Sequence, residues 1–378
     1  MILLHGTGVH NKGAELMAIA VLEHFRAKPN PPEFAVPAHF GPYRDRAKYG
    51  LWTLVSERRL GRAKVLAALA HASFRRKYGL ASESDIVAII DASGFAFGDQ
   101  HGPKPTQEMA KNCRRWKRQG KKVVLLPQAF GPFSSDEIRR ACRELVQHCD
   151  LIFARDTQSL EHLVSTVGQQ ENIHLAPDFT NLVSGVVAEN PGAKDAVILV
   201  PNNRMIDKTS PEQSAQYLPF LAECIRRLEK RGQKIAVLVH CPEDQRLVND
   251  LQKLLGKCLP VLTSDSPLIL KGYLAQACLA ISSRFHALVG ALSQGVPAIA
   301  VGWSHKYDLL LRDYGCPEMV YSLASPFEML DALLDQALSD TTRADLMTRI
   351  QSAAKRQREL VLEMWQKVDA LLGITTRV

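Results

Sequence analysis

Short apolar runs alternate with segments of helical periodicity along almost the whole chain, and this alternation restricts the fold more than any other feature. "MILLHG" is an apolar run ending at Gly6, and "GAELMAIAVLEHFRA" follows it with apolar residues at helical spacing. The same sequence of elements recurs. "SDIVAIIDASG" reads as a strand reaching a glycine loop, and "TQEMAKNCRRWKRQG" as a helix ending at Gly120. "KKVVLLPQAFG" then reads as a strand, and "SSDEIRRACRELVQHC" as a helix with the Ser/Asp/Glu start that caps and the helix dipole favour. Strands alternating with helices predict an α/β fold with parallel sheets covered on both faces. The layout is repeated: helix–Gly–Lys–strand occurs at "RQGKKVVLLP" and again, less strictly, at "RGQKIAVLVH". At 378 residues the chain is too long for one ordinary core. We expect two Rossmann-like domains, residues 1–185 and 186–342, facing each other across a cleft. The stretch "GVVAENPGA" would link them, and an amphipathic helix over 343–378 would pack back on the first domain.

Composition narrows the partners. A formal net charge of +8 favours anionic ones. Eight cysteines without a CxxC pair read as reduced and mostly buried, not as a disulfide frame or zinc site. No signal-peptide pattern follows Met1, and no apolar run reaches the ~20 residues of a membrane span. The expected location is cytoplasmic. Residues 58–77 hold Arg58, Arg59, Arg62, Lys64, Arg75, Arg76 and Lys77 with one acid, Glu57, just before them, interleaved with "VLAALAHASF". A solvated face, a patch for the anionic inner membrane surface and a nucleic-acid surface are the three readings. No nucleic-acid-binding signature supports the last. Residues 104–122, with eight Lys/Arg against one Glu, are the second basic segment.

In an open parallel sheet, ligands bind beyond the carboxyl ends of the strands. The loops there hold "HGTGVHNKGAE", "DASGFAFGDQHG", "LPQAFGPF", "PNNR", "SSRFH" and "GWSHK". The first is no dinucleotide fingerprint, because Asn11 stands where the third glycine belongs, and there is no P-loop. Arg284 and His286 are the sharper signal. Ser282 or Ser283 is expected to cap the helix "RFHALVGALSQG", placing both in its first turn. A cation there opposes the helix dipole, so its placement points to an anion. The other reading is an Arg paired with a carboxylate such as Asp265, plus a core histidine. His305 and Lys306 follow the next strand and should approach the same point, with Arg204 as a fourth cationic group. A compact, multiply charged anion fits such a cluster.

At these residues the chain resembles a known family. "SSRFHALVGALSQGVPAIAVGWSHKY" is similar to the signature region of the polysaccharide pyruvyl transferases, and "GTGVHNKGAEL" to their opening loop. "LPQAFGPF", "ARDTQSLEHL" and "APDF" match intermediate blocks in order. One departure is Gly13-Ala14-Glu15 where many relatives read Gly-Asp-Glu. The resemblance implies a GT-B-like fold and transfer of pyruvate from phosphoenolpyruvate to a sugar of a cell-surface polysaccharide or its lipid-linked precursor, forming a ketal. It implies no metal and no cofactor beyond phosphoenolpyruvate as co-substrate. On this reading Arg284, Lys306, Arg204 and His305 bind the donor in the second domain. His286 is the proton donor, and Glu15 of the first, acceptor-side domain is the base for the sugar hydroxyl. Asn11, Gly13, Gln128 and Arg155 are acceptor or loop residues. The alternatives are a GT-B glycosyltransferase using a nucleotide sugar, with Asp308, Asp313 or Glu318 at the donor ribose, and a non-catalytic scaffold.

Overall fold

The computed structural model describes residues 1–55, 72–302 and 306–374. The chain divides into two compact units. One holds Met1–His10, Met17–Phe179 and Leu360–Val378; the other holds Asn11–Leu16 and Thr180–Glu359.

The first unit is built on parallel strands β1 (Ile2–His5), β2 (Phe34–Pro37), β3 (Trp52–Leu54), β4 (Leu80–Ala81), β5 (Ala88–Asp91), β6 (Phe95–Phe97), β7 (Lys122–Phe130), β8 (Leu151–Ala154) and β9 (Ile173–Leu175). Their order is β4-β3-β2-β1-β5-β7-β8-β9, with β6 on β7. Ile89, Ile90, Val124 and Leu125 are fully buried, as strands covered on both faces require. The flanking helices start where their caps dictate. Ser135 Oγ accepts from Ile138 N at 3.3 Å for the Asp136–His148 helix, and Asp156 accepts from Ser159 N at 2.7 Å for the Thr157–Val167 helix.

The second unit's strands are β10 (Val197–Val200), β11 (Ile235–Leu238), β12 (Val261–Leu262), β13 (Leu279–Ser282), β14 (Ala298–Val301) and β15 (Val320–Tyr321). They run parallel in the order β12-β11-β10-β13-β14-β15. In chain order this is 3-2-1-4-5-6, a Rossmann sheet whose direction of winding reverses between β10 and β13. The chain passes between units at Phe179 and Thr180. The stretch 185–193 packs within the second unit: Val186 N donates to Leu268 O at 2.9 Å, and Gly185 N to Gln294 Oε1 at 3.1 Å.

The basic segments fare differently. The 104–122 stretch forms the Pro103–Arg118 helix and the start of β7, and several of its cations are ion-paired: Arg114 with Glu144 at 3.0 Å, Arg115 with Glu83 at 3.2 Å and Lys117 with Asp150 at 2.6 Å. Residues 58–71 of the other segment lie outside the described residues. Among the described residues no helix is long and apolar enough to cross a membrane. All eight cysteines are free thiols, most of them buried.

The last helix runs as one element from Asp340 to Leu372, and its residues from Leu360 belong to the first unit. Trp365 stacks on His24 with ring centres 4.0 Å apart. Asp369 accepts from His24 Nε2 at 2.9 Å and from Lys28 Nζ at 2.5 Å. Burial pushes the Asp369 carboxyl up, but the hydrogen bonds and charges of His24 and Lys28 outweigh it and hold it below its ordinary value. A folded-state pKa below the unfolded one gives stability that is present above the unfolded value of about 3.9. That stability is lost as pH falls through the folded value. Asp369→Asn is therefore expected to cost about 1.5–3 kcal/mol near neutrality. It should also flatten the loss of stability below about pH 4. Urea midpoints near neutrality and in acid check this; an acid slope equal to wild type removes Asp369 from the account.

Candidate active site

The reversal between β10 and β13 opens a crevice at the carboxyl ends of the second sheet, so the residues that follow β10, β11, β13 and β14 are where a ligand should be sought. Arg284 and His286 stand there. Arg284 occupies the cap position of the Phe285–Leu292 helix with extended backbone, and no side chain caps that helix. The expected serine cap is thus replaced by another arrangement. Ser282 Oγ accepts from Arg284 N at 2.9 Å, while Ser283 is taken by neighbours from three other elements. Tyr217 Oη donates to Ser283 Oγ at 2.9 Å, and the Ser283 carbonyl accepts from Asn202 Nδ2 at 2.7 Å and Tyr307 Oη at 2.9 Å. A loop held by that many buried hydrogen bonds fixes the side chains it carries.

Arg284 does carry a carboxylate, but it is Asp244, not Asp265. Asp244 is fully buried at the start of the Asp244–Leu255 helix, and accepts from Arg284 Nη2, from Asn203 N at 2.9 Å and from Cys241 N at 3.1 Å. Burial alone would weaken the guanidinium's charge, but the paired Asp244 carboxylate acts against this and the Arg284 pKa is raised. The pair leaves Arg284 Nε buried without a hydrogen-bond partner among the described residues, a donor available to an anion. His240, at the end of β11, is also buried. Desolvation, followed by the charges of Arg284, His286 and Lys12, drives its pKa well below the ordinary value, so it is neutral near pH 7.

The short segment Asn11–Leu16 belongs to this unit and completes the group. Asn11 Oδ1 accepts from Gly13 N at 2.9 Å at the start of the Lys12–Arg26 helix. Gly13 lies against His286: a Cβ there would stand 2.4 Å from Nδ1. Only glycine lets this backbone approach the imidazole so closely. Lys12 Nζ is held by Glu15 at 2.8 Å and by the Asp265 carbonyl at 2.7 Å. Glu15 is 3% exposed, and its Oε2 is the oxygen that accepts from Lys12. Lys306 begins the Lys306–Asp313 helix, next to the Tyr307 that bonds Ser283, while His305 lies outside the described residues. Arg204 does not join the cluster through any described contact; it is 59% exposed and pairs with Asp207 at 2.9 Å.

Gln128 and Arg155 belong to the first unit, at the ends of β7 and β8. Gln128 Nε2 donates to Asp91 at 3.2 Å, and the buried Arg155 lies 3.9 Å from Asp178. Lys12, His240 and Asp244 escaped sequence reasoning. Lys12 stood inside the quoted opening loop and could have been found there. Asp244 and His240 carry no local signal, because their role follows from β11 lying beside β10.

The family model for polysaccharide pyruvyl transferase matches residues 11–305, which contain the Arg284–His286 block and the Asn11–Glu15 segment. Amylovoran biosynthesis protein AmsJ of Erwinia amylovora is 22% identical over 260 residues, 63% of this chain and 62% of the relative, so the match spans under two thirds of that protein. Among solved structures, HepE of Anabaena in complex with UDP-glucose superposes with a TM-score of 0.58 at 14% identity, covering 98% of this chain and 99% of that one. The UDP-GlcNAc 2-epimerase of Neisseria meningitidis bound to UDP-GlcNAc gives 0.56 at 10% identity, covering 96% and 100%. At such identity the likeness is one of fold, and it is GT-B-like.

Proposed function

This chain belongs to the polysaccharide pyruvyl transferase family, and we propose that it transfers pyruvate from phosphoenolpyruvate to a sugar of a surface polysaccharide or its lipid-linked precursor, closing a ketal across two hydroxyls. The observation that carries this reading is the built cation group at the β13 end: Arg284 locked by Asp244, with His286 seated against Gly13. Phosphoenolpyruvate is compact and bears both phosphate and carboxylate, which matches such a group. Arg284 and Lys306 are assigned to its anionic oxygens, together with Lys12, which Glu15 positions. Neutral His240 is suited to a hydrogen bond there without adding charge.

His286 is assigned the proton that goes to the methylene carbon, leaving an oxocarbenium-like centre at C2. A sugar hydroxyl adds to C2, the C2–O bond to phosphate breaks with its electron pair on phosphate, and the second hydroxyl closes the ring. The cations stabilise the departing phosphate where its charge develops. The two hydroxyl protons end one on the methyl carbon and one on phosphate, so the reaction needs no further reactant.

Ligand-induced thermal shift tests the donor. Phosphoenolpyruvate is expected to stabilise the protein, by about 2.7 kcal/mol at a hundredfold excess over Kd. UDP, UDP-glucose and UDP-GlcNAc serve as the comparison set, because the solved neighbours named above carry such ligands. Stabilisation by a nucleotide sugar and none by phosphoenolpyruvate would overturn the reading in favour of a glycosyltransferase.

A further inference from the structure

The first unit has its own reversal point, between β1 and β5, and a second group of polar residues lies there. His5, Asp91, Ser93 and Gln128 all belong to this unit. His5 ends β1 and Asp91 ends β5, and the two are register partners. Asp91 is fully buried, which is costly for a carboxylate unless donors surround it. His5 Nδ1 and Ser93 Oγ bond its Oδ2 at 2.7 and 3.0 Å. Ser93 N and Gln128 Nε2 bond Oδ1, each at 3.2 Å. Gly6, at φ +76°, makes this possible, since a Cβ there would lie 2.0 Å from Ser93 Oγ and 2.7 Å from Asp91 Oδ2.

The buried carboxylate decides what its neighbours offer a ligand. An ionised carboxylate accepts and cannot donate, so the neutral His5 ring carries its proton on Nδ1 and its lone pair on Nε2. Nε2 makes no hydrogen bond among the described residues. The same rule turns the Gln128 amide nitrogen to Asp91, so the other amide atom is the carbonyl oxygen. Gln128 is fully buried, and its Oε1 has no hydrogen-bond partner among the described residues. A buried acceptor left unmade is costly, and a donor on a ligand removes that cost. The His5 side chain is 30% exposed, with its ring at the edge of buried Trp116 at 6.1 Å, so the group is open to solvent through His5.

Two acceptors backed by a buried negative charge select a class of ligand. They take hydroxyl donors, whereas an anion would meet lone pairs and the charge of Asp91. This is the reverse of the cation group at the end of β13. We infer that the first unit binds a carbohydrate here, its hydroxyls donating to His5 Nε2 and Gln128 Oε1. Asp91 and Ser93 are positioning residues. The inference rests on the proposed function only in choosing a sugar among hydroxyl-bearing ligands; every residue it uses lies in the first unit.

Long-range proton–nitrogen NMR of the full chain, with His5 assigned through His5→Phe, reads both the tautomer and the ligand. The probes are the methyl glycosides of glucose, galactose and mannose, with inorganic phosphate as the anionic comparison. We expect the Nδ1–H form, and a saturable shift of Nε2 by at least one glycoside with Kd of order 1 mM. Phosphate should leave Nε2 in place. In ligand-observed titrations Gln128→Met is expected to weaken that glycoside at least about tenfold. His5→Phe, which keeps a ring against Trp116, should do the same and serves if Gln128→Met does not fold. An Nε2–H tautomer overturns the inference, as does the absence of a shift with every glycoside or an equal shift with phosphate. Wild-type affinity in a folded variant overturns it as well. No phosphoenolpyruvate is present, so a failure of wild type to transfer pyruvate counts against the proposed function and leaves the sugar site standing.

Discussion

Arg284→Ala is expected to abolish phosphoenolpyruvate-dependent phosphate release and to destabilise the protein by about 3–5 kcal/mol. The second effect follows from Asp244. It is fully buried and gives its Oδ1 to Arg284 and Asn203 N, so deleting the guanidinium leaves a carboxylate in the interior with backbone donors but no countercharge. Arg284→Lys separates charge from geometry. An ammonium can neutralise Asp244 but cannot reach Asp244 and a ligand anion together through a planar fork, so it should recover much of the stability and little of the activity. Urea unfolding and phosphate release, measured side by side on both variants, read the two effects apart. Full activity in Arg284→Lys would reduce Arg284 to a structural ion pair.

The second large effect concerns His286, and it can be produced without touching that residue. His286→Ala is expected to lower turnover by about 10²–10⁴-fold as a lost proton donor. Gly13→Ala should lower it by at least about tenfold for a steric reason, because the added methyl would stand 2.4 Å from Nδ1 and 2.7 Å from Cγ and the imidazole must move. Gly13 lies in the first turn of a helix without a positive φ, where alanine by itself is favoured over glycine by about 1 kcal/mol. A loss of activity with little loss of melting temperature therefore identifies the imidazole contact. A double-mutant cycle completes the test: in a His286→Ala background Gly13→Ala should cost almost nothing more, since the ring it displaces is gone. Additive losses would mean that Gly13 acts elsewhere.

How much of this was legible beforehand depends on the range over which each feature is encoded. β1, β5, β7, β10, β11 and β13 announce themselves as apolar runs of four or more residues ending in loops, and the Arg284–His286 block could be placed at a strand end. β4, β12 and β15 are two-residue strands that carry no periodicity to read. The capping residue was misjudged for a related reason. Ser282 and Ser283 are both good caps locally, but Tyr217, Asn202 and Tyr307, all distant in the chain, claim Ser283 first.

The sequence by itself determined the longer strands and helices, the parallel class of both sheets and which loops could carry chemistry, because period and punctuation are local properties of a polypeptide. Only the tertiary structure decided which groups meet. The 3-2-1-4-5-6 order sets β11 beside β10 and so brings Asp244 rather than Asp265 to Arg284. The grouping of Asn11–Leu16 with the second unit presses Gly13 on His286 and turns Glu15 to Lys12. The register of β1 on β5 makes a dyad of His5 and Asp91, residues 86 positions apart. Such pairings arise from hydrogen bonds between strands far apart in the chain, and no window of sequence contains both partners.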